Sequence, residues 1–276
     1  MLKQRTLTAL VLAPIAIAII LFLPTAALAV VIGVMCLQAL WEWTRLAGLT
    51  DRGVRTAIVA TNAVLLGLLW WSRDQPAAWV VIGVGLAFWL LSLLWLRNFS
   101  WAAAPTRENA AIKVIAGEFA VLPAWLALMK LHAGQGDGHA WALFAVVLIW
   151  AADIAAYFAG KRYGTTKLAP RISPNKTTAG AWGALGGAGA LAVAGGWLLH
   201  VRGAALIALV VLALLSVAAS IAGDLIESLL KRQANVKDSG TLFPGHGGLL
   251  DRLDSLFAAI PVFVAGKALL DLVFHP

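Results

Sequence analysis

Asp224, Glu227, Ser228 and Lys231 recur at three- and four-residue spacing in the run GDLIESLLK. At 3.6 residues per turn they share one helical face. Two carboxylates, a hydroxyl and an ammonium therefore converge on one place. Residues 204–222, just before them, are almost wholly apolar. A carboxylate at the centre of a bilayer costs about 2.5–3.5 kcal/mol on insertion scales, so one kept in such a run marks function. The cost falls nearer the interface, where a solvated helix end with an ordinary Glu–Lys pair is the plainer reading.

The chain from Ser228 to Asp254, SLLKRQANVKDSGTLFPGHGGLLDRLD, continues the polar theme. Lys237 and Asp238 lead into Phe243-Pro244-Gly245-His246-Gly247-Gly248. A proline and several glycines around a histidine make a loop, and glycines let backbone amides point at an anion. His246 can contact a phosphate or simply cap the turn. Asp251, Arg252 and Asp254 follow. One acid in a first helical turn complements the helix dipole; two flanking an arginine ask for more. Asp251 and Asp254 are i,i+3 and can face one site. With Asp224 they form an oxygen-rich set suited to a hard cation such as Mg2+, which usually keeps a substrate phosphate in its shell.

A basic stretch runs from Gly160 to Gly180, GKRYGTTKLAPRISPNKTTAG. A membrane protein's cytoplasmic loop explains such charge without function. Ser173, Lys176 and Thr177 are more specific, because small hydroxyls beside a lysine suit phosphate oxygens; the motif is not a P-loop. Asp153 and Glu118 lie inside apolar runs, where an acid either pairs with a neighbour or lines a site.

Elements must carry these residues to one place. The chain of 276 residues is 61% hydrophobic and 12% charged, against about half and a quarter for soluble domains. Long apolar runs satisfy their backbone only as helices, so the expected class is an all-α, polytopic membrane bundle. Runs of the length needed to cross a bilayer fall at 7–23, 25–41, 56–72, 77–96, 112–131, 140–159, 181–199, 203–226 and 255–273. Nine spans place most Lys and Arg residues on the N-terminal side, so the positive-inside rule predicts N-in and C-out. Every polar cluster then faces the cytoplasm. MLKQR followed by an apolar run has the outline of a secretory signal, but the next span follows without a polar break and no cleavage is expected. Trp41, Trp43, Trp70, Trp71, Trp95 and Trp101 fall near span ends, as an interfacial belt would. The single Cys36 excludes an intrachain disulfide. The net charge of +8 reads as loops facing anionic membrane lipids rather than nucleic acid. The chain is treated as one membrane unit over 1–276: residues 1–140 are mainly scaffold, and 150–254 carry the polar clusters.

Ser-x-x-Lys-Arg, then Lys237-Asp238, then PGHGGLLDRLD resembles the signature of the phosphatidate cytidylyltransferase (CDP-diacylglycerol synthase) family. The resemblance extends to DIAAYFAG at 153–160, to KLAPRISPNKT and to the GDLIES run; the N-terminal spans match in general character, including TrpGluTrp at 41–43. It implies that CTP and phosphatidic acid give CDP-diacylglycerol and pyrophosphate with Mg2+, a second cation being allowed. It also implies a homodimer in a bacterial inner membrane. Carried residue by residue, Asp224, Asp251 and Asp254 are the metal carboxylates. Lys237, Asp238 and Arg252 complete the catalytic set. Ser173, Lys176, Thr177, Ser228, Lys231, His246, Gly247 and Gly248 bind substrate. Thr178 and Ala179 depart from the aromatic and Glu or Gln that the family often has there. A CTP-dependent kinase of a lipid alcohol would need membrane placement and basic loops but not this signature. An ion-coupled transporter would spread polar residues through both halves of the membrane.

Overall fold

A computed structural model of the chain describes residues 13–242 and 247–274. The described chain folds into helices α1 (Ala13–Phe22), α2 (Thr25–Leu46), α3 (Arg52–Ser72), α4 (Ala77–Arg97), α5 (Arg107–His132), α6 (Gly138–Tyr163), α7 (Thr178–Leu198), α8 (Gly203–Gln233) and α9 (Leu250–Phe274). The eight from α2 to α9 are long and apolar enough to cross a membrane. The protein is thus a polytopic helical membrane bundle, as its composition requires. The start of the expected first span lies outside the described residues.

Local chemistry sets the helix starts. Side-chain oxygens of Asp51, Thr106 and Thr177 accept hydrogen bonds from the amides of Val54, Asn109 and Gly180, which would otherwise be orphaned. Pro24 is the N-cap of α2, in an extended conformation with φ −62° and ψ 149°.

The basic stretch is more ordered than a loop. Lys167–Ala169 (β1) and Ser173–Thr177 (β2) pair antiparallel, with Lys167 opposite Thr177 and Ala169 opposite Ser173. Thr177 then caps α7, so the strand feeds directly into the next helix.

α5 is the most enclosed span and α3 the least. α5 packs against α2, α4 and α9, while α6 pairs with α7 and α8 with α9. The α6–α7 approach depends on small residues: a Cβ on Gly187 would lie 2.6 Å from that of Ala155. This is how helices associate where lipid offers no hydrophobic drive.

Two tryptophans of the expected belt belong to the core instead. Trp43 and Trp95 are buried and donate Nε1–H bonds to the carbonyls of Lys113 (2.7 Å) and Trp101 (3.0 Å). α2 runs on past residue 41 and carries Trp43 inward. Trp71, at 83% exposed, does face outward. Glu118 of α5 accepts a 3.1 Å hydrogen bond from Asn62 of α3, so this intramembrane acid pairs with a neighbouring helix.

Candidate active site

α8 has 31 residues, about 46 Å at 1.5 Å per residue. A bilayer core is about 30 Å thick, so α8 is roughly three turns longer than an untilted crossing needs. Its last three turns carry Asp224, Glu227, Ser228 and Lys231, and the site is built around them. Carboxylate oxygens of Asp224, Glu227 and Asp254 lie within 4.8 Å of one another. Gly223 makes this possible, because a Cβ there would lie 2.6 Å from the Asp254 carbonyl oxygen and 2.9 Å from the Ala258 Cβ. A side chain would hold α9, and Asp254 with it, away from α8.

The trio differs by one member from the sequence expectation. Glu227 stands where Asp251 was expected, because Asp251 sits one turn earlier on α9 and its oxygens are engaged. Asp251 Oδ1 accepts from Lys231 Nζ at 2.6 Å. Asp251 Oδ2 accepts from the Ser239 amide (2.9 Å), the Ser239 hydroxyl (2.8 Å) and the Gly248 amide (2.7 Å). Lys231 Nζ also lies 2.5 Å from Glu227 Oε2, so one ammonium bridges both acids. Glu227 Oε1 is buried with no hydrogen-bond partner among the described residues. A buried, unpartnered carboxylate oxygen is costly and suits a cation. Three hard oxygen donors fit a metal such as Mg2+.

The hairpin reaches the same place. Lys176 of β2 forms an ion pair with Asp224, and Ser228 Oγ donates to Asp224 Oδ1 at 3.3 Å. Two cavities meet here. One, of about 540 Å³, runs between α6, the hairpin, α7 and α8; Asp153, Tyr157, Lys161, Lys176 and Thr177 line it among small apolar residues. The other, of about 440 Å³, is walled by Lys231, Asp238, Asp251, Arg252 and Asp254. Asp153, Asp224 and Ser255 line both. A phosphate at the junction would meet cations on one side and the carboxylate trio on the other.

The expected residues are thus largely gathered. Asp224, Asp254, Asp251, Asp238, Arg252, Lys231 and Lys176 border the cavities, and Thr177 lines the first. Gly248 supports Asp251 through its amide. Gly247 has φ +82°, a conformation that glycine adopts without strain. Lys237 is exposed and Ser173 half-buried, and both lie outside these two linings. His246 falls outside the described residues. Glu227 shares a helical face with Asp224 in the sequence but is not among the expected metal carboxylates; its i,i+3 spacing from Asp224 is the signal for its place in the cluster. No pattern pointed to Ser239.

The class defined by such a site is a membrane-embedded enzyme acting on phosphates. The model of the Cytidylyltransferase family matches residues 3–269, and the chain belongs to that family. A phosphatidate cytidylyltransferase from Pseudomonas aeruginosa is 42% identical over 270 residues, covering 96% of each chain. One from Haemophilus influenzae is 33% identical over 95% of this chain and 97% of its own. A Bacillus subtilis protein of the same name is 44% identical over 45% of this chain and 46% of its own.

Proposed function

We propose that the protein transfers a cytidylyl group from CTP to phosphatidic acid, giving CDP-diacylglycerol and pyrophosphate for phospholipid synthesis in a bacterial inner membrane. The observation that carries this reading is the junction at Asp224, where a lysine on the hairpin and a carboxylate trio face two adjoining cavities. The bacterial relatives named phosphatidate cytidylyltransferase support it along nearly the whole chain.

A phosphate oxygen of phosphatidic acid forms a bond to the α-phosphorus of CTP as the bond to the β-phosphate oxygen breaks. Phosphoryl-type transfer depends mainly on alignment and charge neutralisation. A phosphate monoester is already anionic, so no strong general base is needed. Asp224, Glu227 and Asp254 would hold Mg2+, which supplies charge neutralisation on the phosphates when bound. Lys176 and Arg252 offer their cations to the phosphates from opposite cavities. The polar cavity suits the triphosphate, and the cavity with small apolar walls suits the lipid headgroup. Lys231 is committed to Glu227 and Asp251; its role is to hold the two acids in register. Asp238 borders the polar cavity. By resemblance to the family, Lys237, His246 and Gly247 serve the nucleotide site and Ser173, on β2, a nucleotide or lipid phosphate.

Detergent-solubilised protein incubated with labelled CTP, phosphatidic acid and Mg2+ tests the reading. Lipid-linked CMP with released pyrophosphate is the expected outcome. Release of CDP with a phosphorylated lipid alcohol would replace the reaction with a kinase. A nine-span, N-in arrangement puts the whole site on the cytoplasmic side, where CTP is supplied. A reporter fused to the C-terminus is then expected outside the cytoplasm.

A further inference from the structure

Glu42 has no part in the chemistry above, yet it is one of the most completely hydrogen-bonded acids in the fold. It lies on α2 and is 4% exposed. Its Oε1 accepts from Gln38 Nε2 at 3.0 Å and from the Leu249 amide at 3.1 Å. Its Oε2 accepts from Ser239 Oγ at 2.9 Å and from the Leu250 amide at 2.8 Å. Leu250 opens α9, so these two amides are among the donors that a helix start leaves without an internal partner. A negative charge there is also favoured by the helix dipole. An ordinary cap comes from the residue next to its helix; this one comes from a helix about 200 residues earlier in sequence.

The loop is shaped around this carboxylate. A Cβ on Gly240 would lie 2.5 Å from Glu42 Oε1, and one on Gly248 would overlap Oε2. Arg45, nearly one turn further along α2, donates to the carbonyls of Asp238 (3.1 Å) and Ser239 (2.5 Å). Ser239 is the link to the site. Its hydroxyl lies within hydrogen-bond distance of both Glu42 Oε2 and Asp251 Oδ2, but it has one proton to donate. The two carboxylates thus share a single hydroxyl, and Asp251 in turn holds Lys231.

We propose that Glu42 is a positioning residue for this active site. It anchors Ser239 and the start of α9, and through them it sets Asp251 against Lys231. Its effect on turnover rests on the cytidylyltransferase reading; its effect on the loop does not.

The test uses the full-length protein in detergent, with hydrogen exchange measured on peptides covering 238–250 in the absence of substrate. Steady-state turnover of CTP and phosphatidic acid is measured in parallel. Glu42→Gln keeps the shape but replaces an acceptor with an amide facing N–H donors. It is expected to speed exchange over 238–250 and to lower kcat/KM about 10- to 100-fold, as loss of a supporting partner usually does. Ser239→Ala is expected to lower kcat/KM as well. The double variant is expected to fall no further than Glu42→Gln alone, within about twofold, because both act along one chain. Multiplicative losses in the double variant, or unchanged exchange in Glu42→Gln, would overturn the proposal. Should Glu42→Gln fail to yield folded protein, Glu42→Asp keeps the charge on a shorter side chain and the same non-additivity is read with it. Wild-type protein that turned over neither substrate would end the proposed reaction, and the exchange measurement would still decide the role of Glu42.

Discussion

Lys176 on β2 and Asp224 on α8 form an ion pair that ties the basic hairpin to the acidic end of the longest helix. Both side chains keep about a quarter to a third of their surface exposed. A pair of this kind contributes roughly 0–1 kcal/mol to folding, so its value lies in what replaces it. An arriving phosphate offers Lys176 a second anion, and a cation offers Asp224 a second partner. The pair therefore holds both side chains at the cavity wall, where the proposed reaction would use them.

Lys176→Met is accordingly expected to cost catalysis and not stability. Loss of one charge-stabilising donor typically lowers kcat by about 10²–10³, while the melting temperature should stay near wild type. Lys176→Arg keeps the charge with different geometry and is expected to fall between. Steady-state kinetics beside a thermal melt of the same detergent preparations gives both numbers; a large drop in melting temperature would show the pair to be structural.

Lys231 is the opposite case. Its side chain is 11% exposed, against 1% for Glu227 and 7% for Asp251. Removing one member of a buried pair strands the other charges, at about 3–5 kcal/mol. Lys231→Met is expected to lower thermal stability by that order. Adding Asp251→Asn removes one stranded charge and should recover part of the loss. A double variant no more stable than Lys231→Met would mean that the two acids do not share this ammonium.

Variants of the carboxylate trio are expected to separate metal affinity from turnover. Glu227→Gln and Asp254→Asn are each expected to raise the Mg2+ concentration for half-maximal activity by more than the roughly 10- to 100-fold typical of losing an outer-shell partner. Asp251→Asn, which loosens Lys231 and the loop, should lower turnover at saturating Mg2+ with little change in that requirement. Chelation should abolish activity and Mg2+ restore it. An Asp251→Asn enzyme whose defect disappears at high Mg2+ would return Asp251 to the ligand set.

Much of this architecture is legible in the chain because membrane helices announce themselves. Apolar length gives the spans, but the helix starts at Arg52, Arg107 and Thr178, capped by Asp51, Thr106 and Thr177, fall three to five residues before the apolar runs and are not marked by them. Asp224, Glu227, Ser228 and Lys231 share a face through period alone. The exchange of Glu227 for Asp251 in the trio is not readable, because it depends on how far α9 slides along α8 and on what Ser239 and Gly248 offer to Asp251. The hairpin is hidden for a similar reason: β1 has three residues and β2 five, with too little alternation to register. Trp43 and Trp95 mislead because a tryptophan near a span end suits an interface or a helix–helix seam equally well.

Gly223 offers the sharpest test of that helix–helix register. Its missing side chain faces the Asp254 carbonyl oxygen, at 2.6 Å from where a Cβ would stand. A backbone carbonyl inside a helix cannot rotate aside, so Gly223→Val must part α8 from α9. Overpacking of this kind costs about 1–3 kcal/mol. The effect on the site should be larger than on the fold. Mg2+ binds oxygens at about 2.0–2.1 Å, so its ligands must close to within about 4.2 Å of one another, and parting α8 from α9 works directly against that closure by Asp254. Gly223→Val is therefore expected to weaken Mn2+ binding, followed by electron paramagnetic resonance, out of proportion to its change in melting temperature. Gly186 on α7 provides the control, since a Cβ there meets nothing within 4 Å. Gly186→Ala should gain up to about 1 kcal/mol from helix propensity and leave metal binding unchanged. Equal losses of binding in the two variants would disconnect the α8–α9 approach from the carboxylate trio.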